Sequence, residues 1–244
     1  MKSRGIAFVL LAAGASRRLG TCKALISLGD PDSDRLVDTP LGRLLDAGSS
    51  LDAARPLLVT GLHHRELHLA APVDVEVCHN SAWEQGRTGS VACAAAARRG
   101  YDLLLAPVDV PRVPRSVFLA MSQAWAEANE PKAGWLAPFL ADPEFQGDPG
   151  ASQAGEFVRR FGHPIIMGRE LAGQLADLLD LAPTEDRDRE LSSESDHRQW
   201  RDRPLHHWRK LANPLLSVPV ESPEILDDLD DLGDWEHLRT PQAP

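Results

Sequence analysis

Ile6 to Ala13 are consecutive apolar residues that run without a break into Gly14. A strand with one wet face alternates apolar and polar side chains, so an unbroken run reads as a strand buried on both faces. The run also follows Lys2 and Arg4, and Ala13-Gly14-Ala15 imitates a signal-peptidase site. It falls far short of the roughly 20 residues that a membrane-spanning helix requires. Arg17 and Arg18 follow at once. The segment therefore reads as a buried strand entering a loop.

Similar short apolar runs recur at 56–60, 73–78, 103–106, 134–139, 164–167 and 215–220. Amphipathic stretches fall at 40–54, 64–70, 89–99, 115–129, 168–181 and 204–211. This alternation is that of βα units. It predicts one α/β domain over 1–240, a mostly parallel central sheet flanked by helices, and 244 residues suffice for its core. Alanines at 92 and 94–97 make the helix over 89–99 slim enough to approach a sheet closely. Two stretches predict loops: 142–156, with Gly147, Pro149 and Gly150, and 183–203, dominated by charge and serine. Residues 241–244 read as a tail.

Gly14 is followed in quick succession by Ser16, Arg18, Gly20 and Lys23. Glycines let a backbone turn tightly and aim several N–H groups at one anion. Arg18 and Lys23 add positive charge, so the combination fits a triphosphate cradle. No Gly-Lys-Ser/Thr closes it, which excludes a Walker A loop, and the three-glycine Rossmann spacing is absent. The local charge matters because the chain carries 26 Lys+Arg against 36 Asp+Glu, a net charge of −10. Such a surface repels nucleic acid and anionic membranes, so neither is an expected partner.

The segment Leu11-Ala12-Ala13-Gly14-x-Ser16-x-Arg18-x-Gly20-x-x-Lys23 resembles the opening signature of the GT-A-like nucleotidyltransferases. It is most similar to the MobA-like NTP transferase branch, which includes the molybdenum cofactor cytidylyltransferases. The resemblance implies a Rossmann-like, GT-A-type domain. It further implies that Leu11, Ala12, Ala13, Gly14, Ser16 and Gly20 bind nucleotide while Arg18 and Lys23 act catalytically on its phosphates. Asn80-Ser81-Ala82-Trp83-Glu84-Gln85-Gly86, continuing to Ser90, resembles the family's NPxWxxGxxxS stretch. This adds Asn80, Gly86 and Ser90 on the base and ribose side, although a serine at a helix start can equally cap backbone donors.

Asp109-Val110-Pro111 resembles the Asp-x-Pro element whose aspartate holds the catalytic metal. A carboxylate at the C-terminal end of a strand lies where open α/β sheets bind ligands, while a plain turn aspartate is the alternative. Gly162-His163-Pro164 matches the family's GHP strand, and His163 is either a substrate contact or a hydrogen-bonded histidine before a strand. Asp228 and Asp230 occupy the first acidic positions of a DIDTPED-like element and Asp234 the last. The resemblance implies Asp228 and Asp230 as metal ligands beside Asp109. Asp231-Leu232-Gly233 replaces Thr-Pro-Glu and puts the local turn in question, and a solvated acidic helix start is the alternative.

The activity implied is transfer of a nucleoside monophosphate, CMP first, from a triphosphate to a phosphorylated small molecule, molybdopterin first. Pyrophosphate leaves, Mg²⁺ is the implied cofactor, and a protein accepting the product is a further expected partner. Guanylyl transfer, transfer to a sugar phosphate, and nucleotide binding without catalysis remain open. A zinc hydrolase is the rival from another class, because His64 and His68 share a helical face at i and i+4. The glutamate, Glu66, is out of the zincin order and no convincing third ligand follows. Cys22, Cys78 and Cys93 form no CxxC pair, which fits a reducing, cytoplasmic compartment and needs no catalytic cysteine.

Overall fold

Among the described residues, eight strands form a single sheet: β1 (Ile6–Ala12), β2 (Leu57–Thr60), β3 (Glu76–His79), β4 (Asp102–Pro107), β5 (Trp135–Asp142), β6 (Val158–Phe161), β7 (Ile165–Met167) and β8 (Leu215–Pro219). The computed structural model describes residues 5–30, 33–48, 51, 54–142, 158–180 and 204–239. Apart from Asp142, the two predicted loops at 142–156 and 183–203 and the tail at 241–244 lie outside the described residues.

β2, β1 and β4 pair in parallel side by side, with β3 outside β2. β7 then runs antiparallel to both β4 and β5, β6 runs antiparallel to β5, and β8 is parallel to β5. All strands except β6 and β7 therefore share one direction, and the expected mostly parallel sheet is what forms.

The unbroken apolar runs are explained by helices on both faces. Phe8, Leu10 and Ala12 point to a layer with Leu41 and Leu44 of α1 (Pro40–Gly48), Leu67 of α2 (His64–Ala70), and Phe118 and Trp125 of α4 (Arg115–Glu127). Ala7, Val9 and Leu11 point to the other layer, with Val91 and Ala95 of α3 (Arg87–Ala97) and Leu171 and Leu175 of α5 (Arg169–Asp180). Trp208 of α6 (His206–Leu211) joins that second layer. A third, smaller cluster joins Leu238 of α7 (Leu232–Arg239) to Leu19, Leu28 and Leu229.

Several boundaries differ from the sequence reading. α1 ends at Gly48, not at 54; a Cβ at Gly48 would sit 2.5 Å from the Phe8 ring. The strand expected at 73–78 starts later, because Val75 N–H closes a turn on Pro72 O at 3.0 Å. β6 and α7 have no counterpart among the predicted elements.

β6 and β7 are one line interrupted at Gly162-His163-Pro164. Trp135 pairs with Met167 and Leu136 with Ile166, but Phe139 pairs with Phe161, so the register steps between them. This is a bulge, and bulges re-aim the chain next to sites. The His163 N–H leaves the ladder for Ile225 O at 3.1 Å, and a Cβ on Gly162 would lie 2.3 Å from the same carbonyl oxygen.

At the start of β4, Asp102 is completely buried. Its carboxylate accepts from Trp125 Nε1 (3.0 Å), Arg169 N (2.8 Å) and Arg169 Nη1 (3.0 Å), tying α4 and α5 to the sheet from opposite faces. Replacing it strands a guanidinium that is only 9% exposed. Asp102→Ala is expected to lower unfolding free energy by about 3–5 kcal/mol, read by urea denaturation. A loss below about 1 kcal/mol would show that this pair does not anchor the helices.

Candidate active site

The chain lays β1, β2 and β3 outward to one side and then places β4 on the other side of β1. The C-terminal ends of β1 and β4 therefore flank the point where the strand order reverses, the crevice in which open α/β sheets bind ligands. Val108 N–H bonds to Leu11 O at 3.2 Å and holds the two exits together. After β1 the loop turns on Ser16, whose φ is 50°, and Gly20, whose φ is 69°. The N–H groups of Leu19 and Gly20 both reach Ser16 O at 3.1 Å, and Lys23 N donates to Ser16 Oγ at 3.0 Å. A cleft of about 520 Å³ opens here, walled by residues 11–17, Cys22, Lys23, Trp83, Glu84, Gly86, Arg87, Ser90 and Asp109.

Lys23 Nζ lies 3.2 Å from Asp109 Oδ1 and 3.0 Å from Asp230 Oδ1. Arg87 Nη2 takes the other Asp109 oxygen at 2.9 Å. The hydrogen bond from Lys23 holds the Asp230 carboxyl below its usual range, with Arg18 and Arg87 adding to the effect. Burial pushes the Asp228 carboxyl up, and the neighbouring Asp230 and Asp109 charges push the same way. A second cavity of about 430 Å³ adjoins the first, sharing Arg87 and Asp109 and adding Arg160, Phe161, Gly162, His163, Asp228 and Asp230. Two carboxylates already converge on one cation, the Lys23 ammonium. Their all-oxygen donor set fits Mg²⁺ or Mn²⁺, so a divalent ion suits the residues present.

The sequence model of the MobA-like NTP transferase domain matches residues 8–198. The chain belongs to the MobA-like NTP transferases. Its fold is shared by solved structures: Rv0371c from Mycobacterium tuberculosis H37Rv is 21% identical with a TM-score of 0.61, over 96% of this chain and 98% of that one. Rv0371c has also been solved in complex with manganese. A nucleotidyl transferase from Methanothermobacter thermautotroptrophicus (Mth528) is 18% identical at TM-score 0.59, covering 96% of each chain. The 2-C-methyl-D-erythritol 4-phosphate cytidylyltransferase from Thermus thermophilus is 18% identical at TM-score 0.54, over 96% and 97%. Comparison with curated proteins finds no match.

In this MobA-like protein, Leu11, Ala12, Ala13, Gly14, Ser16, Lys23, Gly86, Ser90 and Asp109 line the first cleft, and His163, Asp228 and Asp230 line the second. Arg18 and Gly20 do not line either. Arg17 lines the first cleft instead, while the Arg18 charge helps to hold the Asp230 carboxyl down. Gly14 is not needed for a positive φ. A Cβ there would meet no atom within 4 Å, so the space it leaves is cleft space. Asn80 is buried and does not line the cleft. Its Nδ2 donates to Ser90 Oγ at 3.0 Å and its Oδ1 accepts from Ala82 N at 3.1 Å, a brace for the wall. Ser90 is not a cap, because α3 begins earlier, after Gly86 at φ 108°. Sequence reasoning passed over Arg17, Arg87 and Arg160. Arg87 lies inside the quoted tryptophan-glycine stretch, whereas nothing in the sequence pointed to Arg160.

The His64 and His68 rings lie 5.7 Å apart between centroids. His64 Nδ1 bonds Thr60 Oγ1 at 2.8 Å, and its ring stacks on His79 at 4.2 Å between centroids. No helix among the described residues is long and apolar enough to cross a membrane.

The altered acidic element keeps its turn by another route. Asp231 Oδ1 accepts from Gly233 N (2.8 Å) and Asp234 N (3.1 Å), capping α7. Asp234 Oδ2 reaches back to the N–H groups of Asp230 (2.8 Å) and Asp231 (3.0 Å), completing a reciprocal capping box. Asp234 is thus a fold residue. Asp109 O accepts from Leu229 N at 2.7 Å and fixes the strap from the other side. Asp231→Ala is expected to lose about 1 kcal/mol in urea denaturation and Asp231→Thr only a few tenths, since threonine also caps. Equal losses would show that the cap is not the reason.

His163 supplies a pH test. Burial, with the Arg87 charge adding, holds its imidazole down to about 4, against 6.5 when unfolded, and its Nδ1 is buried without a partner. The unfolded chain therefore binds the extra proton first. The contribution of His163 to stability is full above 6.5 and is lost as pH falls toward 4. His163→Gln should flatten that part of the stability–pH curve, and an unchanged curve would rule the assignment out.

Proposed function

We propose that this domain transfers a nucleoside monophosphate, with CMP first, from a nucleoside triphosphate to a phosphorylated small-molecule acceptor, with molybdopterin first. One observation carries the reading. The Lys23 ammonium stands between Asp109 and Asp230 where two cavities meet, 3.2 and 3.0 Å from their oxygens. The triphosphate belongs in the cleft behind Gly14, where loop N–H groups, Arg17 and Lys23 neutralise the phosphates. Asn80 supports the wall beside the nucleoside through Ser90, and Gly20 shapes the loop. Arg18 adds charge near Asp230.

The acceptor belongs in the cavity of Arg87, Arg160 and His163. Arg87 and Arg160 hold its phosphate, and His163, kept neutral, presents an uncharged imidazole to it. An oxygen of that phosphate then attacks the α-phosphorus in line. A phosphorus–oxygen bond forms as the α–β bridge breaks and pyrophosphate leaves. A phosphate dianion carries no proton that must be removed, so the site needs no general base. Asp109 and Asp230, with Asp228 beside them, would hold Mg²⁺, which supplies neutralisation of phosphate charge when bound.

Pyrophosphate release with each of the four triphosphates, Mg²⁺ and candidate phosphorylated acceptors tests the reading. CTP with molybdopterin is expected to give turnover. Lys23→Ala and Asp109→Ala should each lower it by about a hundredfold or more, by loss of charge-stabilising groups. Near-normal rates in either folded variant would refute the roles. Triphosphate binding without release in any combination would point to a binding protein.

A further inference from the structure

A second set of ligand atoms comes together at Cys22, which neighbours Lys23 in the wall of the first cleft. Cys22 Sγ, a ring nitrogen of His63 and a carboxylate oxygen of Glu66 all lie within 4.8 Å of one another. Among the described residues this is the one trio of such side chains that does so. Cys22 is buried at the end of the glycine loop. His63 and Glu66 stand at the N-cap and in the first turn of α2. His63 Nδ1 lies 3.4 Å from Glu66 Oε2, while its Nε2 is buried with no hydrogen-bond partner.

An unpartnered buried ring nitrogen is a liability in a folded protein, and a metal ion is one way of satisfying it. Sulfur, imidazole and carboxylate around one point is a donor set for zinc, whereas Mg²⁺ takes oxygen. The Glu66 side chain is 60% exposed, which leaves the ion a path from solvent. The histidine-rich segment thus presents His63 and Glu66 at i and i+3, with a cysteine from a distant loop.

We propose that Cys22, His63 and Glu66 form a Zn²⁺ site, with water in the fourth position, that staples the end of the glycine loop to the start of α2. Zinc is held by the thiolate, so forming the zinc–sulfur bond releases the thiol proton to solvent. The site is chemically separate from the oxygen set of Asp109 and Asp230, and it stands whichever triphosphate the cleft takes.

The test is metal retention by the full chain. Purified protein is loaded with Zn²⁺, or with Co²⁺ as a coloured substitute, in excess Mg²⁺, and gel-filtered. The wild type should keep about one equivalent of zinc per chain. Its cobalt form should show tetrahedral absorption with a thiolate-to-cobalt charge-transfer band. Cys22→Ser and His63→Gln should each lose the zinc and the band, with circular dichroism verifying the fold. His64→Ala and Cys78→Ser should keep both. If Cys22→Ser does not fold, His63→Gln decides. Zinc held equally by the variants, a cobalt spectrum without the thiolate band, or a wild type that retains no zinc would each overturn the site.

Discussion

Lys23 joins carboxylates that are 86 and 207 positions away in the chain. In a protein with a net charge of −10, the ammonium offsets the repulsion between the two acids that it joins. The cation is itself fixed by its backbone, because Lys23 N donates to Ser16 Oγ and Ser16 sits in the left-handed region at φ 50°. The shape of the glycine loop, the position of the ammonium and the convergence of Asp109 with Asp230 are therefore one constraint. The cluster of Leu19 with Leu28, Leu229 and Leu238 reinforces it, since it packs the loop's far end against the strap that carries Asp230.

Burial explains why most of the fold could be read from the sequence. β1, β2 and β4 lie between two helical layers, so their composition is nearly all apolar and cannot be mistaken for solvent-facing chain. β6 was illegible for the opposite reason. Val158-Arg159-Arg160-Phe161 carries two arginines and becomes a strand because β5 offers it an antiparallel partner. α7 looked like solvated acid because its organising device is the exchange of hydrogen bonds between Asp231 and Asp234, which composition does not display.

The candidate site divides in the same way. Asp109, Lys23 and the loop glycines follow buried strands, and the end of a buried strand is a place that sequence locates well. Arg87 and Arg160 come from a helix start and an edge strand, where an arginine is ordinarily a solubilising residue. Only tertiary placement brings both to the second cavity, Arg87 on the wall it shares with the first. Choosing between Arg17 and Arg18 was likewise beyond sequence, since it turns on which way one left-handed residue sends the chain.

The strap from Ile225 to Asp234 shows how the two cavities come to share their acids. Its first residue is held by the bulge, where His163 gives its N–H to Ile225 O instead of to β5, and where Gly162 leaves room for that carbonyl. Its middle is held by Asp109, whose carbonyl accepts Leu229 N–H while its carboxylate shares Lys23 with Asp230. Its end is held by the cap on α7. Asp228 and Asp230 thus lie between two backbone anchors, at the bulge and at Asp109, and one side-chain anchor, the α7 cap. A loop of this acidity, left to electrostatics alone, would spread into solvent. Because two of the anchors are backbone–backbone hydrogen bonds and the third is a side-chain cap, the placement of Asp228 and Asp230 does not rest on the Lys23 charge alone.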